Sequence, residues 1–159
     1  MKKFADSMAL LAITAWVGGL WSIGFVAVPV LFQTMPDRML AGLLAGKMFT
    51  LVAYIGIVSA GYLLTYHLNA SGRTAFKQTV FRVVVVMLLL TMVGQFGIQP
   101  IMTDLKAQAL PADVMHSVFA DRFKMLHGVS SILYLVQSLL GVVLVLKAGR
   151  SLFCEGAPK

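Results

Sequence analysis

Four stretches of this chain carry no formal charge: Met8–Phe32, Met48–Tyr66, Val83–Thr103 and Met125–Leu146, of 25, 19, 21 and 22 residues. A helix rises about 1.5 Å per residue and the hydrocarbon core of a bilayer is about 30 Å thick, so each stretch can cross it once. Their apolar residues do not alternate with period two, and the stretches are far longer than a barrel strand. Helices are then the only spanning form that satisfies the backbone from within. Composition agrees, with 59% hydrophobic and 12% charged residues, outside the usual range of a soluble domain. The sequence predicts an all-α membrane protein, one domain over residues 1–159, folded as a four-transmembrane-helix bundle with spans near 8–32, 38–67, 80–103 and 125–147. The opening MKKFADSMALLAITAW has the outline of a signal peptide. Its apolar run is too long and no small-residue cleavage site follows, so span one is expected to be retained.

The net charge of +7 is divided unevenly by these spans. Lys2, Lys3, Arg73, Lys77, Arg82, Lys147, Arg150 and Lys159 share one side with two acids, Asp6 and Glu155. The other side carries Arg38, Lys47, Lys106, Arg122 and Lys124 against Asp37, Asp104, Asp113 and Asp121. The excess of bases marks the cytoplasmic side, so both termini are expected there, in a bacterial inner membrane. The basic residues follow topology and lack interleaved aromatics, which excludes nucleic acid as a partner. The lone Cys154 excludes an internal disulfide.

Between spans one and two, Thr34 can cap a helix, Pro36 suits its first position and Asp37 its positive end, so span two is expected to begin near Pro36 and reach His67. The connection NASGRTAFK reads as a simple polar turn. Ahead of span four, LPADVMHSVFADRFK sets Met115, Val118, Phe119 and Phe123 opposite Asp113, His116 and Asp121. That spacing predicts a short amphipathic helix on the periplasmic surface. No internal repeat stands out.

Span four places His127, Ser130, Ser131, Tyr134, Gln137, Ser138 and Gly141 on one helical face. Thr91, Gln95, Gln99 and Met102 share a face of span three, and span two offers a GxxxG at Gly42 and Gly46. Small residues allow close helix approach and amides bond across it, so Gly18, Gly19, Gly42, Gly46, Ser130, Ser131 and Gly141 are expected to pack helices together. Gln95 and Gln99 should face the interior beside span one or four.

The outward half holds polar groups from every span: Gln33, Asp37, Arg38, Lys47, Gln95, Gln99, Asp104, Arg122 and His127. Polar groups within a membrane are expensive, and together these suggest an outward-opening ligand pocket. The plainer reading leaves Lys47, Asp104 and Arg122 snorkelling to the interface. Met35, Met39, Met48, Met102, Met115 and Met125 lie on the same side as His116 and His127. Thioethers with imidazole suit Cu(I), making His127, Met102 and Met125 a candidate copper set, although methionine also fills gaps in apolar packing. Haem is a second candidate through His127, since His67 lies at the opposite end and His116 in a loop. Motifs of soluble enzymes are missing.

WVGGLWSIGFVAVPVLF, PDRMLAGLLAGKMF, FGIQPIMTDLK and HGVSSILYLVQSLLG, in that order, resemble the transmembrane-protein-205-like family, also described as domain of unknown function 4149. The resemblance implies a short four-helix membrane protein and leaves its biochemical role open. The first motif also looks like the first helix of CopD-type copper-resistance proteins and HemJ-type protoporphyrinogen oxidases. Unlike the HemJ pattern, no histidine precedes Trp16 in span one or stands between Pro29 and Gln33.

The expectation is therefore a protein that handles a small ligand, with copper as one candidate, rather than one that catalyses a reaction. Two alternatives stand beside it. One is a structural or accessory subunit of a larger membrane complex, docking through Gly42 and Gly46, with a homo-oligomer as a further candidate assembly; the other is a haem-binding membrane oxidoreductase.

Overall fold

In a computed structural model the chain forms four long helical spans, Lys3–Thr34, Arg38–Lys77, Thr79–Ala109 and Ala120–Gly149, each long and apolar enough to cross a membrane. The structure describes the backbone of residues 2–110 and 114–155, and side chains from 3 to 110 and from 114 to 149. Asp113 and the side chains of Lys2, Arg150, Cys154, Glu155 and Lys159, used above for charge and disulfide arguments, lie outside the described residues. Successive spans run antiparallel. Span one packs against two and four, and span three against the same two, so the four form a closed ring.

Two spans are interrupted by a π-helix. Span one is α-helical over Lys2–Trp21, widens to a π-helix over Ser22–Ala27 and resumes over Val28–Thr34. Span three does the same: α-helix Thr79–Met92, π-helix Val93–Ile98, α-helix Gln99–Ala109. Each widened segment ends two residues before a proline, Pro29 or Pro100. Proline has no N–H to give the carbonyl one turn back, and its ring crowds that carbonyl. The preceding amide reaches further instead: Val28 N–H bonds to Ile23 O, and Gln99 N–H to Gly94 O. A π segment accommodates the proline without breaking the span. Phe25-x-x-x-Pro29 and Phe96-x-x-x-Pro100 carry this shared pattern in the sequence, a short internal correspondence where none was expected.

The core lies in the half of the bundle nearer the chain ends. Trp16, Leu63, Val84, Met87 and Leu144 are fully buried there. Trp16 fits because Gly56 has no side chain; a Cβ at Gly56 would overlap the indole. The indole N–H has no hydrogen-bond partner among the described residues. Gly141 makes similar room for Val17, which would stand 3.0 Å from an added Cβ. At the same end, Tyr62 Oη donates to Ala5 O at 3.0 Å and Tyr66 Oη to Asp6 Oδ1, tying span two to the start of span one.

Span two begins at Arg38, and Asp37 is its N-cap, accepting from Met39 N and Leu40 N at 2.9 and 3.1 Å. Thr34 instead donates back to Val30 O within span one, so the carboxylate supplies the cap. The α-helix of span two runs on to Ser71, where Gly72 turns out of it at φ 54, a conformation that favours glycine. Among the described residues of the surface segment before span four, Val114–His116 form a 3-10 turn, after which span four starts at Ala120. Val114 tucks against Leu105 and Ala109, with Phe119, Phe123 and Leu126 around them, while Val118 is 94% exposed.

Candidate functional site

The half of the bundle away from the chain ends encloses a cavity of about 650 Å³, lined by all four spans. Tyr134 stands in its wall, its ring packed edge-on against Phe25 and Phe49, with centroids 5.9 and 5.5 Å away. The Tyr134 hydroxyl donates to Leu20 O, and the ring lies over Gly24, where a Cβ would collide with it. One turn along span four, Gln137 Nε2 donates to Thr91 Oγ1 at 2.7 Å, and both residues are buried. Leu20 and Thr91 stand at equivalent places, each two residues before a π segment. Span four thus secures both widened spans with consecutive polar side chains, and Leu20, Thr91, Tyr134 and Gln137 all line the cavity.

A ladder of side chains from span three crosses to span two along one wall. Gln95 Nε2 donates to Thr50 Oγ1 at 3.5 Å, Gln99 Nε2 to Gly46 O at 3.3 Å, and Lys106 Nζ to Gly42 O at 3.1 Å. The two glycines leave their carbonyls open to these donors. The ammonium of Lys106 also lies over the Phe123 ring, 5.5 Å from its centroid, within range of a cation–π attraction. Gln95 and Gln99 face the interior, but their hydrogen-bonding neighbour is span two, which corrects the expectation of span one or four. Their spacing defined the face and not the helix opposite it.

Arg38, Gln95, Gln99, His127 and Met102 all line the cavity. Gln33, Asp37, Lys47, Asp104, Arg122 and Met125 are exposed and stand outside its lining. His127 stacks on Phe123, one turn earlier on the same helix, at 6.1 Å and 11°. The candidate copper set is therefore divided: Met102 is buried in the wall, His127 faces the opening, and Met125 points outward at 62% exposure. No group of three or more His, Cys, Asp or Glu that could hold a metal occurs among the described residues.

Gly42, Gly46, Ser130 and Ser131 are cavity residues as well as spacers. Gly42 and Gly46 meet Lys106 and Gln99 of their own chain. Gly19 lies against Val52, whereas a Cβ on Gly18 would meet nothing within 4 Å. Sequence reasoning missed Lys106, Phe123 and Tyr134 as wall residues. Only Tyr134 had a signal, through its place on the polar face of span four.

These features define a multi-pass helical membrane protein whose four spans pack tightly at one end and enclose a cavity at the other. The chain belongs to the family described as domain of unknown function (DUF4149), whose model matches residues 11–111. No curated protein and no solved structure matches it.

Proposed function

We propose that this protein binds a small amphiphilic organic molecule in the cavity, with both chain ends in the cytoplasm and the cavity on the periplasmic side of a bacterial inner membrane. The observation that carries the reading is the division of the cavity wall. Phe25, Val28, Phe32, Phe49 and Leu135 offer apolar surface, while Gln95, Gln99, Ser130, Tyr134 and Lys106 offer hydrogen-bonding groups. Mostly apolar cavities of several hundred Å³ with a few convergent polar groups are the usual form of small-molecule sites. The sidedness rests on the excess of bases at the ends and at the connection between spans two and three.

A copper site finds less support, because Met125 stands apart from Met102 and His127, and copper needs several soft ligands together. Docking through Gly42 and Gly46 finds less support because span three already occupies that face. Mass spectrometry of organic extracts and elemental analysis of gently purified protein test the reading. One organic species should be retained by the wild type and lost from Ala53→Phe, which adds a ring to a cavity-lining position. Stoichiometric copper with no organic species would favour the metal instead.

A further inference from the structure

We infer that the cavity holds its ligand through a backbone carbonyl, that of Gln95, and that the ligand is an amphiphile whose polar end donates a hydrogen bond, as a hydroxyl or an N–H. The inference rests on the binding role proposed above and specifies the polar contact and the chemical class.

A carbonyl in an α-helix accepts from the amide four residues later, and in a π-helix from the amide five residues later. Gln95 O has neither. The amide four residues on, that of Gln99, bonds to Gly94 O instead, and five residues on stands Pro100, which has no N–H. Gly24 O on span one is stranded in the same way, between Val28, whose N–H goes to Ile23 O, and Pro29. An acceptor left unbonded away from water is costly, so freed backbone at membrane depth belongs where it lines a cavity. Gly24 and Gln95 both line this one, at corresponding places in the two interrupted spans.

The two carbonyls differ in what covers them. On span one the Tyr134 hydroxyl fills the space beside Gly24 while donating to Leu20 O. On span three, Gly94 also lines the cavity, and nothing lies within 4 Å of where its Cβ would stand. A helical carbonyl points along the axis toward the residue one turn on; for Gln95 that residue is Gln99, another lining residue. Gln95 O is therefore the approachable one of the pair.

The side chains beside it call for the same kind of partner. Thr50 gives its proton to Gly46 O, so its hydroxyl oxygen can only accept from Gln95, and the amide nitrogen of Gln95 turns toward span two. Gly46 O orients the amide of Gln99 likewise. Neither side-chain oxygen has a donor among the described residues. Three acceptors thus stand together, and a ligand that only accepts would leave all of them unmatched.

The test uses the full-length protein in nanodiscs. Gln95–Phe96 is the only Gln–Phe step in the sequence, so isotope labels on glutamine carbonyl carbons and phenylalanine nitrogens leave a single HNCO cross-peak, reporting the Gln95 carbonyl. Dodecanol should move that carbon downfield, whereas its isomer methyl undecyl ether, which has no donor, should not. In displacing the dye N-phenyl-1-naphthylamine, at equal mole fraction in the bilayer, the alcohol should surpass the ether by about fivefold, the scale of one net hydrogen bond. Pro100→Ala supplies the missing amide, so it should set the carbonyl downfield without ligand and erase the alcohol's advantage. Pro29→Ala, on the covered side, should keep that advantage. The wild-type spectrum decides the matter even if a proline variant fails to fold. A Gln95 carbonyl that dodecanol leaves unmoved, or equal displacement by alcohol and ether, would overturn the inference, and dye still bound and displaced would then leave the binding role standing. A carbonyl moved by sodium ions and not by the alcohol would place a cation there and overturn it equally.

Discussion

Gln137 donates its side-chain amide to the hydroxyl of Thr91 at 2.7 Å, joining spans four and three at the point where span three begins to widen. Thr91 passes the bond on, donating to Met87 O at 2.9 Å. Both side chains are buried, so removing Thr91 strands the Gln137 amide, while removing Gln137 leaves Thr91 its bond to Met87 O and takes away only the donor it accepts from. Thr91→Val and Gln137→Leu should each destabilise the protein by about 1–2 kcal/mol, and the double variant by less than the sum. Hydrogen bonds measured between membrane helices average about 0.6 kcal/mol, which sets the lower end of the expected coupling. Denaturation in detergent micelles measures it, and strict additivity would mean that the two side chains act independently.

The fit of Trp16 against Gly56 makes a second prediction. Gly56→Ala pushes a methyl into the indole, whereas the same change at Gly61 meets nothing within 4 Å. Overpacking of a filled core costs about 1–3 kcal/mol, and an Ala for Gly exchange in an unobstructed helix is neutral or stabilising. Thermal denaturation should therefore lower the midpoint of Gly56→Ala and leave or raise that of Gly61→Ala. Equal midpoints would place Trp16 elsewhere.

Sidedness can be read with introduced thiols in a Cys154→Ser background. Val118, between spans three and four, is 94% exposed, and Phe76, in the 3-10 segment that ends span two, is 59% exposed. An impermeant maleimide added to intact cells should label Val118→Cys and spare Phe76→Cys, which becomes reactive once the membrane is permeabilised. The reverse pattern would invert the topology.

Much of this architecture was legible in the sequence, and the reason is specific. Lipid forbids unpaired charge and unpaired backbone, so the charge-free runs located the spans, and Gln95 and Gln99, four residues apart, showed which face of span three turns inward. Other features depend on what stands opposite. A period of four cannot tell that Gln99 reaches the carbonyl of Gly46 on span two. Lys106 escaped notice because a lysine near a helix end ordinarily reaches for water; here the bare backbone at Gly42 and the ring of Phe123 offer it an inward position. Asp104, two residues earlier, falls on the exposed side of the same helix. Pro29 and Pro100 announced irregularity, but whether a proline kinks a helix or widens it is decided by the neighbours. Here Tyr134 and Gln137 hold each widened span in place.

The central claim is that the cavity beside Tyr134 is a binding site, and an equilibrium titration tests it most directly. Protein in nanodiscs is titrated with the lipophilic fluorophore N-phenyl-1-naphthylamine, beside empty nanodiscs and beside two variants. Ala53→Phe fills the cavity, and Leu51→Phe adds similar bulk at a position 64% exposed on the outside. The account predicts saturable binding of one dye per chain above the empty-disc background, retained by Leu51→Phe and abolished by Ala53→Phe. Signal that never exceeds the background, or that is identical in all three proteins, would contradict it.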